Sequence, residues 1–471
     1  MTKIVQVACT GIVCCLCLSM GVMFSWPSST LRLFESRNTT LHRPMTEGEL
    51  ALFGSLSSIG ALISTPVAGM FLDRLGRKYS SIIFGLMAVI SWVMIISCNR
   101  VEVLLTAIFV SGLSGAVFLV VPVFVSEICE ESIRGAMTSG TMIFYGIGML
   151  ISYLLGGLLE YHMMTYVCLT LSVMVTVMLS FLKESAPCLL AKGMEEEARK
   201  SIAFYTQAKI DSKEVMEEMN ILRRALQADL DTPDATPEEE KLKPLDKPKE
   251  KLSTYQFIKR SRSTRQALLM CFVIMTAAIF QGLVVIQVYA EPLFEEAIPN
   301  MSATVCSVLM AVVTIVAGLL AAYLTEVAGR RPLMIYGSIA SGLTCVLLGT
   351  QIHFHWGPNW VTAVVIYLFA IMYSLGAGTV PYVLAAEVFL PEVKSFVTML
   401  VVEWAWLCNS VILFIFNPLL HAIGLGPVFY IFAVVCFLTA LYCIVYMPET
   451  KGLAVDAIQT LFIKRRKGRE Y

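Results

Sequence analysis

Long apolar segments dominate this 471-residue chain, and we count twelve of them. Each is about as long as the 20 or so residues that an α-helix needs to cross the hydrocarbon core of a bilayer. The segments span residues 5–27, 49–71, 79–98, 101–126, 136–160, 163–183, 264–290, 302–325, 332–351, 360–386, 395–420 and 426–447. They predict an all-α membrane protein, and we number its helices 1 to 12 in chain order. Helix 1 resembles a signal peptide, because Lys3 precedes the apolar run Ala8–Met23. The eleven further spans favour a helix that is retained in the membrane.

Composition supports a membrane-embedded chain and excludes several functional classes. The hydrophobic fraction is 57% and the charged fraction 15%, against about 45–50% and 25% in soluble domains. Formal net charge is zero, which gives no reason to expect a nucleic-acid partner. The 14 cysteines lie largely inside apolar runs, where a thiol behaves as a small hydrophobe, and their spacing predicts no metal or cofactor. No HExxH, GxSxG or GxxxxGK[ST] motif is present, so we do not expect an enzyme.

A polar insert divides the twelve helices into two sets of six. Residues 184–263 are rich in Lys, Glu and Arg, and within them Met194–Leu230 has helical spacing and many charges, which predicts surface helices. Residues 231–252 combine charges with four prolines, which predicts a flexible linker. We therefore expect an N-terminal half at 1–183, a cytoplasmic linker at 184–263, a C-terminal half at 264–451 and a basic tail at 452–471.

The distribution of basic residues predicts the orientation of the helices. Cytoplasmic loops carry an excess of Lys and Arg. Alternate loops, the insert and the tail are the basic ones here, through Arg74, Arg77, Lys78, Arg134, Arg330, Arg331, Lys464, Arg465, Arg466, Lys467 and Arg469. Both termini are therefore expected to be cytoplasmic, although the loop Leu31–Arg43 is an exception with three arginines. Asn38, in that outer loop, opens a glycosylation sequon, and Asn300 opens a second one close to helix 8.

Two related loops identify a family resemblance. Residues 69–78 after helix 2 read GMFLDRLGRK, and residues 326–332 after helix 8 read EVAGRRP at the equivalent place in the second half. This pair resembles the GxxxDRxGRR loop of the major facilitator superfamily. Four further segments resemble the sugar porter family, namely Glu127 to Gly135, Glu184-Ser185, Glu387 to Pro391 and Pro448 to Gly452. The run Leu189–Arg199 is similar to insect trehalose and hexose transporters of that family.

The resemblance implies a breakable gate at the cytoplasmic ends of the helices. Carboxylates and guanidinium groups there can pair bidentately, and half-exposed pairs worth about 1 kcal/mol can break in each cycle. We expect pairs between the two halves to hold the cytoplasmic side shut. The gate residues are Asp73, Arg74, Arg77, Glu127, Arg134, Glu184, Arg330, Arg331, Glu387 and Glu449. The alternative is that they are ordinary interfacial charges that fix topology. The set departs from the family at Glu326-Val327, Lys394 and Ile108.

The centre of the bundle departs further from the family. Positions where sugar porters carry amides that contact the sugar are apolar here, at Met142, Ala278, Ile279, Val284 and Ala405. The substrate-binding candidates that remain are Gln281, Gln287, Tyr289, Tyr382, Trp406 and Asn409. Eight positions separate Gln281 from Tyr289, which predicts nearly the same helix face. Each of these groups could instead make an interhelical hydrogen bond. Glu403 in helix 11 is either a functional carboxylate or a group that reaches the interface.

Two functions follow from the resemblance. The first is a facilitative carrier in the plasma membrane for a small neutral solute, such as trehalose or a hexose. The alternative is a non-transporting sensor, or a carrier of a less polar solute, because the usual amides are missing. Proton-coupled members carry an acidic residue in helix 1, and Ile4–Pro27 contains none, so no proton coupling is expected.

Overall fold

The computed structural model describes residues 2–230, 259, 261–389, 391–453 and 458. Within them the predicted all-α architecture is confirmed, with twelve helices long and apolar enough to cross a membrane. Helices 1 to 6 are Thr2–Glu35, Glu47–Arg74, Arg77–Ser97, Val101–Leu113 continued by Ser114–Ala116 and Val117–Ile128, Glu131–Leu158 and Tyr161–Ser180. Helices 7 to 12 are Arg262–Phe280 continued by Leu283–Val288 and Ala290–Ala297, Ala303–Ala328, Arg330–Phe354, Asn359–Leu375 continued by Val380–Glu387, Pro391–Ile423 and Leu425–Tyr446.

The two halves are built alike. In the first half, helix 1 packs on helix 5, helix 2 on helix 4 and helix 3 on helix 6. In the second half the same pairs recur, with helix 7 on helix 11, helix 8 on helix 10 and helix 9 on helix 12. The halves meet where helix 2 packs on helix 11 and helix 5 on helix 8. The domain boundaries and the cytoplasmic location of the termini stay predictions.

Helix 7 is broken where the sequence predicts one span over 264–290. Gly282 has φ +96°, a left-handed conformation that glycine adopts without strain, and a Cβ there would collide with the ring of Phe432. Breaks of this kind are tolerated at membrane depth only where the backbone is buried in protein or lines a cavity. Helix 10 is also divided, between Leu375 and Val380.

The charged stretch Met194–Leu230 contains more than one helix. The structure has helices at Ala186–Ala191, Glu195–Thr206 and Lys213–Leu230, which we call the linker helices. The second ends because Gln207 adopts a left-handed conformation with φ 53°. The third begins beside Ser212, whose hydroxyl accepts a hydrogen bond from the backbone N–H of Val215. The predicted linker 231–252 and most of the tail lie outside the described residues.

The linker helices mark one end of the bundle, which we call the linker end, and we call the opposite end the far end. The loops that follow helices 2, 4, 8 and 10 belong to the linker end, because successive helices run in opposite directions. The loops that follow helices 1, 7, 9 and 11 belong to the far end. This division places the candidate gate and the candidate binding residues on different levels of the bundle.

Candidate functional site

A charge cluster in the first half centres on Arg77, the first residue of helix 3. Its Nε and Nη2 donate to one oxygen of Glu127 at 3.0 and 2.7 Å, and its Nη1 donates to the carbonyl of Leu72 at 3.2 Å. Arg77 and Glu127 are both mostly buried. The pair therefore ties the start of helix 3 to the end of helix 4.

Glu184, which follows helix 6 in the chain, binds the same start of helix 3. Its carboxylate accepts hydrogen bonds from the backbone N–H groups of Arg77 at 2.8 Å, Lys78 at 3.1 Å and Ser185 at 3.0 Å. A carboxylate at a helix N-terminus satisfies N–H groups that have no partner in the helix and also interacts favourably with the helix dipole. Gly76 has φ +102°, and a Cβ there would meet the Glu184 carboxylate. Glycine is therefore required at this turn.

The second half repeats this cluster around Arg330, the first residue of helix 9. Its Nε and Nη2 donate to the two oxygens of Glu387 at 3.1 and 2.6 Å, and its Nη1 donates to the carbonyl of Thr325 at 2.9 Å. Glu326 adds a further contact to Nη2 at 2.9 Å. The Arg330 side chain is only 5% exposed. This cluster therefore encloses its arginine more fully than the first.

Glu449 plays the part of Glu184 in the second half. It accepts from the backbone N–H groups of Arg330 at 3.0 Å and Arg331 at 3.1 Å, and also from those of Thr450 and Lys451, each at 3.0 Å. Gly329 precedes Arg330 with φ +93°, as Gly76 precedes Arg77. The same arrangement of an arginine, two glutamates and a glycine therefore occurs once in each half, at the linker end.

The predicted gate residues fall into two groups in this conformation. Arg77, Glu127, Glu184, Arg330, Glu387 and Glu449 join the two clusters, and Arg331 donates to the carbonyl of Ile444 at 2.8 Å. Asp73, Arg74 and Arg134 are exposed, with no ion pair among the described residues. The pairs of the two clusters lie within one half, so pairing between halves stays a prediction.

Sequence reasoning did not give Glu326 a role. Its four-residue spacing from Arg330 along the chain places it one helical turn away, which is a usable signal for an ion pair. The side chain is 72% exposed. Its contribution to the cluster is therefore small.

The far end is closed by contacts that cross between the halves. Ser28 of helix 1 accepts a hydrogen bond from the backbone N–H of Glu291 at 2.8 Å, and Arg32 lies 3.5 Å from Glu295. The hydroxyl of Tyr289 donates to the carbonyl of Leu413 at 3.1 Å and contacts Gly54 of helix 2. At the linker end, in contrast, the segments Val117–Ile128 and Val380–Glu387 pack mainly on helices of their own half. In the described residues, the contacts between the halves are therefore concentrated at the far end, and the linker end is the less closed of the two.

Aromatic side chains line the space between the halves. Tyr382 of helix 10 is 44% exposed. The ring of Phe118 lies 6.1 Å from Trp406 and 5.3 Å from Tyr145. Tyr382 and Trp406 are thus the two predicted binding residues that border this space between the halves, which we call the central cavity.

The remaining predicted binding residues are buried. Gln281 donates to the hydroxyl of Ser338 on helix 9 at 3.3 Å, whereas Tyr289 faces helices 2 and 11. The expectation that Gln281 and Tyr289 share a face is therefore wrong, because the helix breaks at Gly282 between them. The backbone carbonyl of Gln287 accepts a hydrogen bond from the hydroxyl of Tyr153. Asn409 is buried, and its Oδ1 has no partner among the described residues.

Glu403 lies deeper than the sequence suggests. Helix 11 begins at Pro391 rather than at 395, which places Glu403 about three turns inside the helix. One carboxyl oxygen is buried, without a hydrogen-bond partner in the described part of the chain. An unpaired carboxyl group in a membrane helix is costly, so this residue is the most unusual one of helix 11.

Comparison with known proteins gives the family. The profile of the family described as "Sugar (and other) transporter" matches residues 13–462. The facilitated trehalose transporter of Polypedilum vanderplanki is 22% identical over 97% of this chain and 88% of its own length. Trehalose transporter 1 of Drosophila melanogaster is 23% identical over 95% of this chain, and the chain spans about half the length of the Drosophila relatives that it matches.

Solved structures show the same fold. The inward-open xylose transporter XylE from E. coli superposes with a TM-score of 0.76 at 17% identity, over 96% of this chain and 98% of XylE. Its partially occluded inward-open form gives a TM-score of 0.75 at 18% identity, over 94% and 98%. These relatives of known function are transporters, not enzymes. The protein is a multi-pass membrane protein, and it belongs to the sugar porter family of the major facilitator superfamily.

Proposed function

We propose that this chain is a facilitative carrier that moves a small neutral solute across the plasma membrane by alternating access. The observation that carries the proposal is the charge cluster built once in each half, at the less closed end of the bundle. The far end is closed at the same time by contacts between helices 1 and 7. Closure at one end at a time is what alternating access requires.

The proposed orientation places the linker end in the cytoplasm. The basic loops after helices 2, 4 and 8 support this, because cytoplasmic loops are enriched in Lys and Arg. Asn38 then lies outside the cell, and its exposure suits glycosylation. When the linker end closes, the exposed charges Asp73, Arg74 and Arg134 come within reach of the opposite half. That is how the predicted gate between halves forms.

A sugar such as trehalose or a hexose is the proposed solute. The named activity of the insect relatives supports this class, at 22–23% identity. The central cavity offers aromatic faces at Tyr382 and Trp406 for the C–H surface of a sugar ring. Asn409 supplies an amide oxygen that has no partner in the described residues.

The alternative is a sensor that does not transport, or a carrier of a less polar solute. It is favoured by Ala278 and Ile279, which are apolar and buried where the family carries amides. Burying a hydroxyl group without a hydrogen-bond partner is costly, so a site that lacks pairing groups binds a sugar weakly. The two functions therefore differ in whether the wild-type protein carries a sugar at all.

Uptake of labelled trehalose and glucose into cells that lack hexose carriers tests the proposal. Saturable uptake at confirmed surface expression is expected. Arg134→Ala is expected to lower it by up to about fivefold, as for the loss of one exposed pair worth about 1 kcal/mol. Lys209→Ala, an exposed change in the loop between linker helices, serves as the matched control. No uptake of either sugar by the surface-expressed wild type would refute the sugar carrier.

A further inference from the structure

A cavity of about 230 Å³ opens at the far end, on the side of the closed contact that faces away from the central cavity. Helices 1 and 2 of the first half and helices 7, 11 and 12 of the second half line it. We call it the far-end cup. Neither the sequence motifs nor the family resemblance singled it out.

The floor of the cup is an aromatic plate. The rings of Tyr289 and Phe416 stack at 5.2 Å with an angle of 26° between them, and both residues are almost fully buried. The small part of these rings that reaches the cavity gives it an apolar floor, which suits the C–H surface of a sugar ring. Because Tyr289 also donates to Leu413 and contacts Gly54, the plate is part of the closed far-end contact.

One buried amide in the cup has no partner. Asn417 is only 6% exposed and lines the cavity, yet its side chain makes no hydrogen bond with any described residue. Its amide atoms are reached by water in the open cup, and they offer two donors and an acceptor to a ligand that displaces that water. A ligand with adjacent hydroxyl groups would satisfy both ends of the amide at once.

The rim of the cup is charged and exposed. Arg32 lies 3.8 Å from Glu35, and Glu296 and His421 complete the rim. One arginine against two glutamates leaves the rim net negative when His421 is neutral, which disfavours an anionic solute such as a sugar phosphate. Carboxylates and a planar guanidinium group also offer several acceptors and donors to hydroxyl groups.

We propose that the far-end cup is an outer subsite that binds one ring of a neutral polyhydroxylated solute. This deepens the proposed function and rests on it for the direction of transport. The volume is below the roughly 300–1,000 Å³ of typical small-molecule pockets, which suits a single ring of the solute. Since both halves contribute walls, separation of the halves at the far end takes the subsite apart and releases the solute toward the central cavity.

The test replaces the amide and measures KM against the maximal rate. Asn417→Leu removes both hydrogen-bonding ends at similar volume, and it is compared with Phe414→Leu, which lies on the same helix but is 44% exposed. Uptake of labelled glucose and trehalose is measured per molecule at the cell surface. We expect KM to rise about tenfold in Asn417→Leu, as for the loss of roughly 1.4 kcal/mol of hydrogen bonding, with the maximal rate within about twofold. Phe414→Leu is expected to leave both values unchanged.

An unchanged KM in Asn417→Leu overturns the subsite and leaves the carrier standing. If Asn417→Leu does not reach the surface, the exposed rim variant Glu296→Ala decides, with an expected rise in KM of about two- to threefold; an unchanged value overturns the subsite. If the wild type takes up neither sugar, equilibrium binding of both sugars to the purified protein decides. Binding that Asn417→Leu weakens keeps the subsite and removes the carrier function, and no binding removes both.

Discussion

Replacing Arg330 with alanine is expected to lower the free energy of unfolding by about 3 kcal/mol. The side chain is 5% exposed and donates two hydrogen bonds to Glu387, one to Thr325 and one to Glu326. In the alanine variant, the carboxylate of Glu387 and the carbonyl of Thr325 lose these donors. The change therefore removes the centre of the second charge cluster without touching the central cavity.

The magnitude follows from how well water can replace the lost partners. Hydrogen bonds to charged groups are worth about 1.5–3 kcal/mol each, but Glu387 is 31% exposed, so water recovers part of that loss and roughly 2 kcal/mol remains. The buried carbonyl of Thr325 adds roughly 1 kcal/mol, and Glu326, which is 72% exposed, adds little. The sum lies at the low end of the roughly 3–5 kcal/mol measured for breaking fully buried pairs.

Arg331 provides a matched control. Its side chain makes one hydrogen bond, to the carbonyl of Ile444, and its backbone N–H keeps its bond to Glu449 in an alanine variant. Arg331→Ala is therefore expected to lower stability by at most about 1 kcal/mol. Arg330→Lys is expected to fall between the two, since lysine keeps the charge but not the planar fork.

Thermal unfolding of the purified protein measures the difference. A thiol-reactive dye is suitable because most of the free cysteines are buried and react only on unfolding. At about 2–4 °C per kcal/mol for a half of this size, Arg330→Ala is expected to unfold roughly 6–12 °C below the wild type and Arg331→Ala roughly 2–4 °C below it. Equal shifts for the two variants would refute the argument from the cluster.

Two further predictions concern the turn before helix 3 and the energetics of transport. Gly76→Ala is expected to lower the unfolding temperature in the same assay, because φ +102° and the Glu184 carboxylate leave no room for a Cβ, whereas Gly69→Ala, with open space around it inside helix 2, is expected to leave it unchanged or raise it. Sugar uptake is expected to be the same with and without a protonophore, because helix 1 carries no acidic residue between Ile4 and Pro27. A loss of uptake with the protonophore would contradict passive transport and would direct attention to Glu403.

The sequence was sufficient for the twelve membrane spans and for most members of the clusters, but not for their partners. Apolar length determines which segments cross a membrane, so twelve spans were predicted and are present in the described residues. The repeated loop motif indicated that Arg77 and Arg330 are equivalent. It could not indicate that each pairs inside its own half, since that depends on which helix ends the fold brings together.

Backbone breaks and isolated amides account for the rest of what the sequence missed. Gly282 inside an apolar run is compatible with a continuous helix, and only its packing against Phe432 shows why the chain turns there. The wrong prediction for Gln281 and Tyr289 follows from that break. Asn417 looks like an ordinary interhelical hydrogen-bonding residue in the sequence, because its lack of a partner depends on the cavity that five helices form around it.

The difference in burial between paired and unpaired charges suits the proposed cycle. Arg77–Glu127 and Arg330–Glu387 are largely shielded from water and lie within one half, so they persist while the halves rock and keep each half rigid. Asp73, Arg74 and Arg134 are exposed, and pairs that they form across the halves are worth at most about 1 kcal/mol each. A few such pairs can close the linker end and still break at thermal energies. Pairs across the halves as buried as that of Arg330 would instead hold the carrier in one state.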